Sequence, residues 1–214
     1  MSQSPSTDAS TGSSSAKSKG GGSMLLGLMP LLVLFGATVL LYNLTSGGFS
    51  EAFMYWEYFM GFIALYFLFS GWSQAYLNGN SSLWYLIRQC VHWGALFALV
   101  YVLNIQGIRE LIPDPQYTIL LLYLIAFTTL LAAIQMNIKM IFFAAFMVFV
   151  AYLIAVPENN PALIKLGEAF QVAEAPTKPL MMTIWVAVAG FVGTLFFKAS
   201  MGGAISAKRA ASKH

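Results

Sequence analysis

The sequence predicts an all-α integral membrane protein, a polytopic bundle of about six transmembrane helices with short loops. Two observations carry that prediction. The 214 residues are 58% hydrophobic and only 9% charged, where soluble domains run near 25% charged, so a soluble fold would have too few charges to cover its surface. The apolar residues also fall into near-continuous runs of about 17 to 21, the length a helix needs to cross a bilayer. Strands of a membrane barrel would alternate over about ten residues instead.

Residues 1–23 are rich in Ser, Gly, Thr and Ala and carry Lys17 and Lys19. With no apolar side chain beyond Met1 to seed a core except small ones, they predict a disordered cytoplasmic tail. The first span is expected at 24–41. Its two preceding lysines suit a secretory signal peptide as well, but the run is long for a signal core and residues 42–50 lack a clear small-x-small cleavage site, so a retained anchor is preferred. Further spans are expected at 53–72, 83–103, 117–134, 140–156 and 180–197, the fifth being the shortest. Turn signals separate them: Gly47 and Gly48, Asn78 to Ser82 around Gly79, and Ile112 to Gln116 with Pro113 and Pro115. A basic cytoplasmic tail, 199–214, closes the chain. The whole of 24–198 is one transmembrane domain, and no second domain fits.

The longest connection, 157–179, is expected on the outer side. Asn160 before Pro161 is a helix-start signal, and Leu163, Ile164, Leu166 and Phe170 alternate with Lys165 and Glu168. A short amphipathic helix on the outer surface and an ordinary loop both fit this pattern.

Basic residues orient the bundle. With a cytoplasmic N-terminus, eight of the eleven Lys and Arg fall inside: Lys17, Lys19, Arg88, Lys139, Lys198, Lys208, Arg209 and Lys213. Arg109, Lys165 and Lys178 fall outside. The positive-inside rule therefore places both termini in the cytoplasm. Short loops and compact form suggest a bacterial inner membrane. Aromatic residues at the span ends, Tyr55, Trp56 and Tyr58 at one side and Trp72, Tyr76, Trp84 and Tyr85 at the other, suit interfacial belts; Trp93 does not and is expected inside the bundle.

Three polar intramembrane positions stand out: Glu57, Arg88 and His92. Arg88 and His92, four residues apart, share one helix face. His92 lies about 14 Å from the inner end of its span and Arg88 about half that. Glu57 lies one turn below the outer end of the second span, roughly 10 Å along the axis from His92, too far for a direct bond. A water-linked route through the three is one reading. The preferred reading is packing: Glu57 interfacial, Arg88 reaching lipid phosphate, His92 bonded to a neighbouring helix. Thr128 and Thr129 are expected to bond their own backbone, and Gln135, Asn137 and Lys139 to form a hydrated turn. Gly94 with Ala98, and Ala189 with Gly193 beside Gly190, have the small-xxx-small spacing of helix contacts.

Several chemistries lack their parts. No G-x-x-x-x-G-K-[ST] phosphate loop and no H-E-x-x-H zinc helix occurs, Ser70-Gly71 lacks the flanking pattern and the helix-borne histidine of an intramembrane serine protease, and Cys90 is the one cysteine. No intramembrane Asp pair, arginine ladder or paired haem histidines are found. No catalytic, cofactor-binding or metal-ligating residue is assigned, no cofactor is expected, and the net charge of +3 is too small for a nucleic-acid partner. The expected partners are the lipid bilayer and other membrane subunits or a second copy. The expected function is a non-enzymatic structural or accessory subunit of a membrane complex. A small channel or secondary transporter using Glu57 and His92 is the alternative, and a membrane-embedded enzyme the third.

Overall fold

Long runs of apolar residues leave the backbone one way to satisfy its own polar groups without water, the hydrogen bonds of the helix, and the computed structural model is helical accordingly. It describes residues 29–48, 50–77, 82–136, 138–172 and 174–211; the expected disordered tail, 1–23, lies outside them. The helices are α1 (Met29–Ser46), α2 (Ala52–Leu77), α3 (Ser82–Ile105), α4 (Ile108–Leu111), α5 (Asp114–Met136), α6 (Ile141–Ala155), α7 (Pro161–Phe170) and α8 (Pro179–Ala211). No strand occurs among the described residues.

Five of these, α1, α2, α3, α5 and α8, are long and apolar enough to cross a membrane. The sixth, α6, has only 15 residues. A 3₁₀ turn, Ile138–Met140, precedes it, and together they reach roughly 28 Å at the rises of the two helix types. That approaches the thickness of a hydrocarbon core.

The expected boundaries shift most in four places, one of them the end of α2, which runs on from 72 to Leu77. Residues 24–28 lie outside the described part, and α1 runs on to Ser46, where Gly48 takes a left-handed φ of 77° and turns the chain. The fourth expected span, α5, starts at Asp114 rather than Tyr117, because Pro115 sits in its first turn, where the missing N–H had no intrahelical partner to lose. The last helix continues through the basic tail as far as Ala211. One short helix, α4, was not anticipated; it starts after Gly107, whose φ of 70° suits glycine.

Viewed along the helices, α1, α2, α5 and α6 form a square. Helix α3 packs on the α2–α5 edge and α8 on the opposite α1–α6 edge. The short α6 is well enclosed, with Phe143, Ala144, Phe146, Met147, Val150, Ala151 and Leu153 all buried. Phe35 of α1 is the centre of one packing cluster, its ring 5.3 Å from both Phe143 and Phe146 and 6.2 Å from Phe191 of α8. Helix α8 comes this close because of its glycines. A Cβ on Gly190 would stand 3.0 Å from the Phe35 ring, and one on Gly193 3.0 Å from the Phe142 ring.

The smooth face of α8 is thus Gly190 with Gly193, not Ala189 with Gly193, since Ala189 is exposed. Gly94 and Ala98 of α3 are also exposed, and among the described residues nothing lies within 4 Å of a Cβ placed on Gly94. Trp93 is buried as expected, against Phe67 at 5.6 Å. Trp56, expected in an interfacial belt, is instead fully buried and donates through Nε1 to Thr45 Oγ1 at 2.9 Å. Tyr55 and Tyr58 beside it are exposed, because positions 55, 56 and 58 point in different directions around the helix and cannot all face outward.

The connections divide the bundle into two unlike ends. The end at which α2 gives way to α3 and α5 to α6 is the short-turn end, and the end at which α1 gives way to α2, α3 to α5 and α6 to α8 is the long-loop end. Between α6 and α8, α7 is the amphipathic helix the sequence allowed. Asn160 caps it, accepting through Oδ1 from Ala162 N at 2.9 Å, with Pro161 as its first residue. Leu163 and Gly167 face inward, and Gly167 is needed there, since a Cβ would lie 2.7 Å from that of Ala175.

Candidate functional site

The three candidate residues occupy three separate places. Glu57, one turn into α2, is half-buried at the long-loop end, where Tyr117 of α5 donates its hydroxyl to Glu57 Oε1 at 2.7 Å. A carboxylate that accepts a hydroxyl proton in a partly dry setting is better held than one left to lipid.

Around this pair lies an arrangement that sequence reading missed. Arg109 of α4 places its guanidinium carbon 4.2 Å from the Phe53 ring centre and 4.4 Å from that of Tyr117. Its Nη2 donates to Asp114 Oδ1 at 2.5 Å and its Nη1 to the Ile112 carbonyl at 3.4 Å. Phe53 and Tyr117 themselves stand edge to face, 5.9 Å apart. The cation is therefore held against two aromatic rings, an arrangement worth about 0.5–2 kcal/mol according to its desolvation. It ties the 106–113 connection to α2 and α5. A signal existed in the five-residue spacing of Arg109 and Asp114 across Pro113, but the stacking needed Phe53 from another helix.

His92 lies on α3, where its Nε2 is 3.0 Å from the Thr128 carbonyl of α5. That carbonyl accepts only from a protonated nitrogen, so Nε2 carries the proton. This is the bond to a neighbouring helix expected of His92. One turn closer to the short-turn end, Arg88 Nη2 donates to Gln135 Oε1 at 3.2 Å. Gln135 is thereby a partner of α3 rather than simply part of a hydrated turn; Asn137 lies outside the described residues, and Lys139 falls within the 3₁₀ turn.

Tyr117 and Thr128, the anchors of Glu57 and His92, are eleven positions apart on α5 and therefore roughly 16 Å apart along its axis. The two anchors thus hold Glu57 and His92 at different levels of α5.

A second set of polar contacts joins α2 and α3. Gln89 Nε2 donates to the Tyr85 hydroxyl at 2.7 Å, and that hydroxyl donates to the Phe67 carbonyl at 3.1 Å. Tyr85 fits because residue 71 is glycine: a Cβ there would stand 1.6 Å from the phenol oxygen. Among the described residues three buried polar atoms, Gln89 Oε1, Trp93 Nε1 and Thr129 Oγ1, have no hydrogen-bond partner. For Thr129 this corrects the expected bond to its own helix.

Among the described residues no three His, Cys, Asp or Glu side chains converge as a metal site requires. The grooves between helices are apolar and open outward. One of about 260 Å³ lies between α1 and α8, lined by Leu32, Phe35, Gly36, Val39, Ile184, Ala187, Val188 and Phe191. Another lies along α3 at Phe97, Ala98, Val100, Tyr101 and Asn104. Compared with known protein families, curated proteins and solved structures, the chain matches none.

Proposed function

We propose that this chain is a non-enzymatic, multi-pass membrane protein that acts as a structural or accessory subunit of a larger membrane assembly. The observation that carries the reading is how its intramembrane polar groups are used. Glu57, His92 and Arg88 are each tied to a different point on α5, where they hold helices together instead of lining one space. Outward-facing helices supply the surface for partners: α3 exposes Gly94 and Ala98 beside Phe97 and Tyr101, and small residues let a second helix approach closely. The partners are other membrane subunits or a second copy. The basic split supports a reading with both termini in the cytoplasm, and a bacterial inner membrane is the host bilayer we propose.

The helix arrangement also weighs against the transporter alternative, whose folds are commonly built from inverted repeats. Exchanging α1, α2, α3 for α5, α6, α8 preserves every packing neighbour of the six helices. In projection that exchange is a half-turn about an axis along the bundle. Such a turn keeps helix directions, yet α1 and α5 run oppositely: α1 runs with α6, as Phe35 against Phe143 and Thr38 against Met147 show, and α5 turns back directly into α6. No rotation relates the halves.

Gentle detergent extraction followed by identification of co-purifying proteins tests the subunit reading. A stable stoichiometric partner, or a defined homo-oligomer, is expected. A lone monomer that carries out solute flux or catalysis in liposomes overturns it.

A further inference from the structure

The two ends of the bundle differ in charge more than in shape. All seven described carboxylate side chains, Glu51, Glu57, Glu110, Asp114, Glu158, Glu168 and Glu174, belong to the long-loop end. The short-turn end has Arg88, Lys139 and Lys198, followed by Lys208 and Arg209 on the extension of α8, and among the described residues no carboxylate. At the long-loop end two of the three cations have internal ion-pair partners, Arg109 with Asp114 and Lys178 with Glu174, and the third, Lys165, shares α7 with Glu168. Arg88 has a neutral one, Gln135. A guanidinium keeps its charge at any relevant pH, and a single amide oxygen takes one of its five N–H groups. Among the described residues no carboxylate lies at this end to balance it, which leaves the guanidinium open to an anion from outside.

We infer that the α3–α5 seam at the short-turn end binds the phosphate of an anionic phospholipid, with Arg88 as the donor and Gln135 as the group that holds it in place. This rests on the membrane location proposed above. Geometry favours a lipid over a free anion. Trp84, Ile87, Arg88 and Val91 fall on one face of α3 by their spacing, and Trp84, Ile87 and Val91 are 68%, 44% and 67% exposed. On α5, Phe127 and Ile134 are 59% and 56% exposed beside Gln135. A headgroup at Arg88 thus has apolar walls deeper in the bundle along which its acyl chains can lie, whereas inorganic phosphate gains nothing from them. Arg88 begins about 9 Å into α3 from Ser82, a depth from which its long side chain reaches the headgroup level. Planar N–H pairs match phosphate oxygens two at a time.

The test is native mass spectrometry of the full chain in mild detergent with phosphatidylglycerol, phosphatidylcholine or inorganic phosphate added. That the chain leaves the membrane fraction only with detergent is read first, and failure there removes the membrane reading by itself. The wild type is expected to retain phosphatidylglycerol in preference to phosphatidylcholine, and equimolar inorganic phosphate to leave that lipid bound. Arg88→Gln is expected to lower retention about fivefold, the effect of one cation near an anionic surface. Lys178→Gln, at the other end, should retain lipid as the wild type does. Equal retention by Arg88→Gln, equal retention of phosphatidylcholine, or displacement by inorganic phosphate overturns the inference, as does loss of self-association in Arg88→Gln with lipid unchanged. If Arg88→Gln does not fold, Arg88→Lys takes its place: an intermediate fall in retention supports a fork on phosphate, and none overturns it.

Discussion

Tyr117 of α5 donates its hydroxyl to the Glu57 carboxylate of α2 at 2.7 Å, while the same phenol ring faces the guanidinium of Arg109. One side chain thus couples an acid and a base that the chain supplies from elements fifty residues apart. It joins α2, α4 and α5 at one end of the bundle.

Replacing Tyr117 by Phe keeps the ring under Arg109 and removes the hydroxyl. A hydrogen bond to a charged group is worth about 1.5–3 kcal/mol, so the variant is expected to lose that order of stability in reversible detergent unfolding. Glu57→Gln, which still presents an acceptor oxygen, should lose less. Superimposable unfolding curves for Tyr117→Phe and wild type would show that the bond contributes nothing.

Gly71→Ala places a methyl group where the Tyr85 phenol now lies. The ring must leave its bonds with Phe67 and Gln89, and a cost of about 1–3 kcal/mol is expected for such overpacking. The double variant with Tyr85→Ala removes the obstacle. The two substitutions should therefore be strongly non-additive in a thermal double-mutant cycle; simple additivity refutes the contact.

Asn160→Ala removes the cap of α7, and with it the Nδ2 donation to the Val156 carbonyl at 2.8 Å. A loss of about 1–2 kcal/mol is expected. Because α7 is a short surface helix, the loss should appear first as faster amide exchange over 161–170, with the exchange of α5 and α6 unchanged. A uniform increase across the bundle contradicts this local role.

The channel reading makes the opposite demand on Glu57 and His92. With roughly 16 Å between their anchors on α5, Glu57→Gln and His92→Ala should leave proton and ion leakage of reconstituted vesicles at the wild-type level. Abolition of a wild-type flux by either variant, with folding intact, would reinstate transport as the function.

The parts of this architecture that were legible beforehand are those governed by local chemistry. Each apolar run became a helix because a near-continuous apolar segment of that length satisfies its backbone within itself only as a helix. Asn160-Pro161 started α7 because cap and first-turn preferences involve only adjacent residues. Pro115 was misjudged as a helix breaker because its effect depends on whether the helix has already begun.

Side-chain partners were legible only as types. His92 was expected to bond a neighbouring helix and does, yet nothing in residues 83–103 names the Thr128 carbonyl. Trp56 looked like an interfacial residue and proved central, since burial depends on which face of α2 meets α1 and α5. The same holds for small residues: Gly190 and Gly94 have similar surroundings in the sequence, but only Gly190 meets another helix, against Phe35.

Composition and periodicity by themselves determined that this protein is an all-helical, apolar chain, approximately where its helices lie, and that its basic and acidic residues segregate. Tertiary structure decided the order of helices around the square, the enclosure of the short α6, and the partners of Glu57, Arg88 and His92. The physical reason is that helix formation and charge segregation are settled within a few residues, whereas the face a helix presents is chosen by steric fit to neighbours distant in sequence.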